Sequence, residues 1–217
     1  INTEGCITIT KDEAMKMIND FKGDSITVKI IQNQKETNKI PVGDVEIGQT
    51  ICNGKYIIVN RYVNGDTCIV RKETIKNIRF GETNNYFKSN LRKYLNTEYL
   101  NEIMDEFGEI ELHTVDMLSM DGDDSYGKCE NLVSAMTFDR WRKYHKYIGN
   151  ADCIEWLSTP NQTEKSNDTC CVRIVDSNGI VGYSDCYWND YGVRPFFILK
   201  SSILVSASER PNSSEIT

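Results

Sequence analysis

Histidine is almost missing from these 217 residues, with only His113 and His145, and no two of the eight cysteines stand as a C-x-x-C pair. A zinc site or other transition-metal centre of familiar spacing is therefore not expected. Long apolar runs are missing too. None approaches the roughly 18 residues that a membrane helix needs, so no membrane insertion is expected. Lys and Arg are scattered among acids rather than clustered, and the net charge is −7 with a pI near 5.0. That balance argues against a backbone-driven nucleic-acid partner and reads as a solubilising surface. The chain also lacks a nucleotide-binding glycine loop, a G-x-S-x-G elbow and an H-E-x-x-H pair, so no cofactor and no catalytic residue is assigned.

What remains is an ordinary globular composition, 39% hydrophobic and 26% charged, with enough length for one sizeable core. Cys6, Cys52, Cys68, Cys129, Cys153, Cys170, Cys171 and Cys186 allow about 105 pairings if all are bridged, and spacing does not choose among them. We favour buried free thiols, because free cysteine packs as a small hydrophobe. The vicinal Cys170 and Cys171 are expected to alternate across a strand, and so to serve neither one metal nor one bridge. The chain begins at Ile1 rather than Met, which leads us to expect a processed or excised piece. Abundant Asn, Lys and Ile point to an AT-rich genome, a microbe or a phage.

Periodicity divides the chain. Residues 1–31 read as strand, helix and strand, with Thr10-Lys11-Asp12-Glu13 fitting a capping box, and polar Gln32 to Lys39 as a linker. A larger unit follows, with strands around Tyr56 and Cys68 joined by the hairpin signal Asn64-Gly65. Ser89 to Phe107 predicts a helix in two pieces, with Thr97 as the second N-cap and Gly108 as the stop. Thr137 to Ile148 predicts another, its Phe138, Trp141, Tyr144 and Ile148 forming a stripe that packs on sheet. Beyond it come strands around Ile154, Cys171, Ile180 and Phe196, with Asp176-Ser177-Asn178-Gly179 turning a hairpin. The expected domains are 1–39 as a docking or accessory segment, 40–205 as the main domain and 206–217 as a flexible tail. The fold class is α+β: antiparallel sheets with two main helices, plus the small N-terminal unit.

Two acidic features invite a calcium reading. Asp121-Gly122-Asp123-Asp124 offers several oxygens but fails the EF-hand pattern, and is read as an acidic turn. Trp188-Asn189-Asp190, with Thr159-Pro160-Asn161 upstream, follows the order used by calcium-dependent lectins. Thr159, however, replaces the charged or amide ligand, and a hydroxyl binds calcium weakly. Glu109 and Glu111 read as the wet face of a strand. The richest stretch is 176–191, where Tyr183, Asp185, Tyr187, Trp188, Asn189, Asp190 and Tyr191 crowd beside a hairpin. Tyr and Trp offer large contact area at low entropy cost, as binding loops require. The competing reading buries Trp188, and Tyr187 with it, in the core.

In order and spacing, Asn90-Leu91-Arg92-Lys93-Tyr94-Leu95-Asn96, Val115-Asp116-Met117-Leu118-Ser119, the helix around Trp141 to Tyr147, Trp156-Leu157-Ser158-Thr159-Pro160, Val175-Asp176-Ser177-Asn178-Gly179 and Gly192-Val193-Arg194-Pro195-Phe196-Phe197 form a recurring set. The set resembles a bacterial and phage domain family of unknown function. That family is similar to the formylglycine-generating-enzyme branch of C-type-lectin-like folds. The resemblance covers about Val45 to Leu199. It implies a lectin-like domain on surface-exposed or virion-associated proteins that binds rather than catalyses, with its ligand surface on Asp176 to Tyr191. It also implies that Arg194 is structural, a guanidinium holding carbonyls or a carboxylate. Thr159 departs from the family's Ser, and the cysteine pair of the oxidase branch has no counterpart here.

The expected function is thus non-enzymatic: a phage virion component (tail, baseplate or capsid surface) displaying a recognition domain. The expected partners are a protein or glycan at a cell surface, neighbouring virion proteins, or further copies of the chain. The alternatives are a bacterial cell-surface adhesin and a cytoplasmic enzyme or accessory protein with an unrecognised site.

Overall fold

In the computed structural model, which describes residues 39–75 and 77–207, short strands alternate with polar turns. In chain order the first strands are β1 (Lys39–Pro41), β2 (Thr50–Ile51), β3 (Tyr56–Arg61) and β4 (Thr67–Arg71). Helices α1 (Asn90–Leu95) and α2 (Glu98–Phe107) follow, then β5 (His113–Asp116), β6 (Lys128–Asn131), β7 (Val133–Ser134) and helix α3 (Phe138–Ile148). The chain continues through β8 (Glu155–Pro160), β9 (Cys171–Val175), β10 (Val181–Asp185), β11 (Phe196–Leu199) and β12 (Leu204–Ser206). Among the described residues these form an α+β fold of four sheets, with every ladder between named strands antiparallel.

The largest sheet runs β2-β3-β4-β11-β7. Its central strands read as near-continuous apolar runs because both faces are covered, and the two-residue period of a strand sorts their side chains between two cores. Tyr56, Ile58, Ile69, Phe197 and Leu199 pack toward α1 and α2, with Leu91, Leu95, Tyr99, Ile103 and Phe107. Ile57, Cys68, Val70, Phe196 and Ile198 pack on the other side with Trp141, Tyr144 and Ile148 of α3. Tyr144 stacks on Phe196 at 6.4 Å with nearly parallel rings, so the aromatic stripe of α3 is packing, as its spacing predicts.

Turn and cap chemistry explains the connections. Gly65 takes φ +92° between β3 and β4, and Gly179 takes +83° between β9 and β10, conformations that only glycine adopts freely. The Ser89 hydroxyl accepts from Arg92 N–H to start α1, and the Thr137 hydroxyl does the same from Arg140 for α3. Thr97 precedes α2 but does not cap it. Its hydroxyl donates 2.7 Å back to the Lys93 carbonyl, closing α1 instead. The expected boundaries also shift, since Lys39 and Ser206 pair across β1 and β12 and thus belong to the main domain. The remainder of 1–39, with its capping box and linker, and residues 208–217 of the tail lie outside the described residues.

The second sheet, β10-β9-β8, joins the first through Trp156 and Arg194. Trp156 is buried, donates Nε1–H to the Ile78 carbonyl at 2.7 Å and packs on Phe80 and Tyr191. Arg194 is wholly buried. It meets both oxygens of Glu155, at 2.8 and 2.5 Å, and donates to the carbonyls of Ile148 and Gly149 at 3.0 and 3.1 Å. It holds carbonyls and a carboxylate together, tying the end of α3 to β8 and to the approach to β11.

Candidate functional site

The segment 186–191 is pinned at both ends by backbone hydrogen bonds. At its start, Cys186 is buried, its N–H donates to the Cys170 carbonyl at 2.7 Å, and its carbonyl accepts from Gly81 at 3.2 Å. At its end, the Tyr191 carbonyl accepts from Ile78 at 2.8 Å, and Gly192 exchanges bonds with Ile154 and Trp156. Gly192 is required there, because a Cβ would lie 2.9 Å from the Ile75 carbonyl oxygen and 2.9 Å from Cys153 Sγ.

Between these anchors the side chains face solvent. Tyr187 is 49% exposed and Trp188 54%, with Asn189 and Asp190 exposed beside them. Tyr183, on the adjoining β10, is 61% exposed, and Asp185 completes the strand in the open. The reading that buries Trp188 and Tyr187 is therefore corrected: the core place is taken by Cys186, and the turn from Asp185 to Trp188 throws the rings outward. Tyr191 departs from the other tyrosines. It is half-buried, with its ring 4.8 Å from Trp156 and its hydroxyl 3.2 Å from Ser184 Oγ, so it supports the surface from beneath.

The Arg79 guanidinium lies 5.6 Å from the Tyr187 ring centre and ion-pairs with Glu82 at 3.1 Å. Arg79 also lines an open cleft of about 360 Å³ with Ile78, Asn90, Lys93, Tyr94 and Glu98. This face thus presents aromatic rings, a side-chain amide and a guanidinium to solvent.

The calcium readings fare differently at each position. Thr159 is buried and its hydroxyl accepts the Phe138 N–H at 2.9 Å, so it is committed to the start of α3. Asn161 Oδ1 accepts from Arg173 at 3.3 Å. In the acidic turn, hydroxyls of Ser119 and Ser166 hold Asp121 below the usual carboxylate range, and the Thr163 hydroxyl and Ser125 amide do so for Asp123. Protein donors thus engage these oxygens. Glu109 and Glu111 both pair with Lys200, and Glu111 bridges to Ile198 at the sheet edge. His113 Nε2 lies 2.8 Å from Ser134 Oγ, but both side chains are buried, and His113 packs edge-on against Phe196. Burial, with the Arg140 charge adding to it, pushes His113 down to about 3, which suits a neutral core histidine.

One cluster escaped the sequence reading. Cys170 lies just before β9 rather than within it, and the carboxylate of Asp168 bends the chain there by accepting the N–H of both Cys170 and Cys171 at 3.0 Å. The two sulfurs, expected to point apart, lie 3.6 Å from each other. Asp168 Oδ1 is 3.5 Å from Cys170 Sγ, and Asp185 Oδ1, directly across the β9–β10 ladder, is 3.8 Å from Cys171 Sγ. The signal available was the D-x-C-C spacing, read together with the hairpin register that sets Asp185 opposite Cys171. No family model, curated protein or solved structure matches this chain.

Proposed function

We propose that this protein is a non-enzymatic recognition module of the C-type-lectin-like kind, displayed on a virion surface, which binds a macromolecular partner through the face built by β10 and residues 186–191. The observation that carries this reading is the outward set of Tyr183, Tyr187 and Trp188 on a segment whose backbone is fixed at both ends. Exposed aromatic rings in solvent are an unfavourable arrangement that docking relieves, and Trp and Tyr are the side chains that dominate binding hot spots. A pinned backbone lowers the ordering cost of association. The α+β architecture and the order of motifs ending in Gly192-Val193-Arg194-Pro195 agree with the lectin-like assignment, and the surface setting comes from the family resemblance alone. The buried His113–Ser134 pair offers no open face to a substrate, which favours binding over the enzyme alternative.

The test is retention of the fluorescently labelled chain on intact host cells and on neighbouring virion proteins. We expect Tyr187→Ala and Trp188→Ala each to weaken retention by at least about 2 kcal/mol, roughly thirtyfold, with an unchanged melting temperature. Undiminished retention in both variants would remove the basis of this reading.

A further inference from the structure

We infer that Cys170 and Cys171, flanked by Asp168 and Asp185, form a binding site for a thiophilic divalent cation of the Zn²⁺ class. The inference goes beyond the recognition reading and does not depend on it. Its ground is geometric. A tetrahedral zinc with Zn–S near 2.3 Å and Zn–O near 2.1 Å sets its donors about 3.8 Å apart for two sulfurs and about 3.6 Å for sulfur and oxygen. The edges found here are 3.6 Å between the sulfurs and 3.5 Å from Cys170 Sγ to Asp168 Oδ1, while Asp185 Oδ1 stands 3.8 Å from Cys171 Sγ, outside that mutually close set. Asp168 Oδ1 and the two sulfurs all lie within 4.8 Å of one another, and all three residues are partly open to solvent.

The placement is built rather than incidental. Two amide bonds fix Asp168 through its Oδ1, which leaves the lone pairs of Oδ2 for a ligand. The β9–β10 ladder fixes Asp185 against Cys171. A zinc-class cation draws the protons off thiol ligands as it binds. Soft sulfur donors select Zn²⁺-like ions over Ca²⁺ and Mg²⁺. The expectation of no metal rested on scarce histidine, the lack of a C-x-x-C pair and vicinal sulfurs directed to opposite faces, and the bend at Cys170 removes the last of these premises.

The experiment uses the full chain, treated with chelator and kept in a phosphine reductant. Cd²⁺ is titrated in while the ultraviolet thiolate-to-cadmium charge-transfer band is followed, and Zn²⁺ then competes. We expect saturation at one equivalent, displacement by Zn²⁺ but not by Ca²⁺, loss of the band in Cys171→Ser, and affinity about tenfold lower or more in Asp185→Asn. Cys129→Ser, on a buried cysteine elsewhere, should bind as the unaltered chain does. Asp185 is exposed, so its variant keeps the test valid if a cysteine variant folds poorly. Absence of a one-equivalent band overturns the inference, as does its full retention in Cys171→Ser or undiminished affinity in Asp185→Asn. Cell retention of Asp185→Asn and Cys171→Ser is measured in parallel, so failure of the metal site and failure of the recognition face give separate readouts.

Discussion

Replacing Arg194 by Ala should be the most damaging single change at the junction of the two larger sheets. The guanidinium is wholly buried and donates four hydrogen bonds, two to the Glu155 carboxylate and two to the carbonyls of Ile148 and Gly149 at the end of α3. Arg194→Ala leaves the equally buried Glu155 as an uncompensated charge and strips the helix end of its donors. Removing one member of a buried pair costs about 3–5 kcal/mol. For a domain of this size each kcal/mol moves the melting temperature by about 2–4 °C, so the drop should be about 6–20 °C. Urea unfolding followed by tryptophan fluorescence measures the loss, provided the denaturant slope stays constant. Glu155→Gln should also destabilise strongly. The double variant Glu155→Met/Arg194→Met should lie nearer the unaltered chain than either single change, because two apolar side chains leave no stranded charge. A loss below about 1 kcal/mol for Arg194→Ala would falsify the account of this pair as the junction's tie.

Further outcomes follow from the same structure. His113 is pushed down to about 3, whereas an unfolded histidine titrates near 6.5. Its contribution to stability is therefore complete above pH about 6.5 and lost as pH falls toward 3, at up to about 1.4 kcal/mol per unit, and His113→Gln should flatten that part of a stability–pH profile. Gly192→Ala drives a methyl group against the Ile75 carbonyl and should cost about 1–3 kcal/mol in urea unfolding; a neutral effect refutes the close approach. Trp156→Ala should cost about 3–5 kcal/mol. Tyr183→Ala, on an exposed ring, should stay within about 0.5 kcal/mol of the unaltered chain, and the contrast between the two tests which aromatics are core.

The elements legible in the sequence were those with local signatures. Asn64-Gly65 and Asn178-Gly179 marked hairpins, Gly108 marked a helix end, and the spacing of Trp141, Tyr144 and Ile148 gave the buried face of α3. The β1–β12 ladder was not legible, because three-residue strands from opposite ends of the main domain carry no pairing signal in either segment alone. The side-chain set of 183–191 was legible from composition, while the split between exposed Tyr187 and half-buried Tyr191 depended on contact with Trp156. The thiol cluster was misread for a related reason. Alternation across a strand holds only from the first paired residue, and Cys170 stands one position before it.

The double anchoring of 186–191 separates what this stretch looks like from whether the domain folds. Its ends are secured through main-chain atoms of Cys186, Tyr191 and Gly192, so residues 187–190 can vary without disturbing those bonds. Even doubling the length of such a loop costs only about 0.6 kcal/mol in closure entropy. If the proposed recognition function holds, a randomised library has four adjacent positions, 187–190, on which to sample new specificities without altering the main-chain anchors.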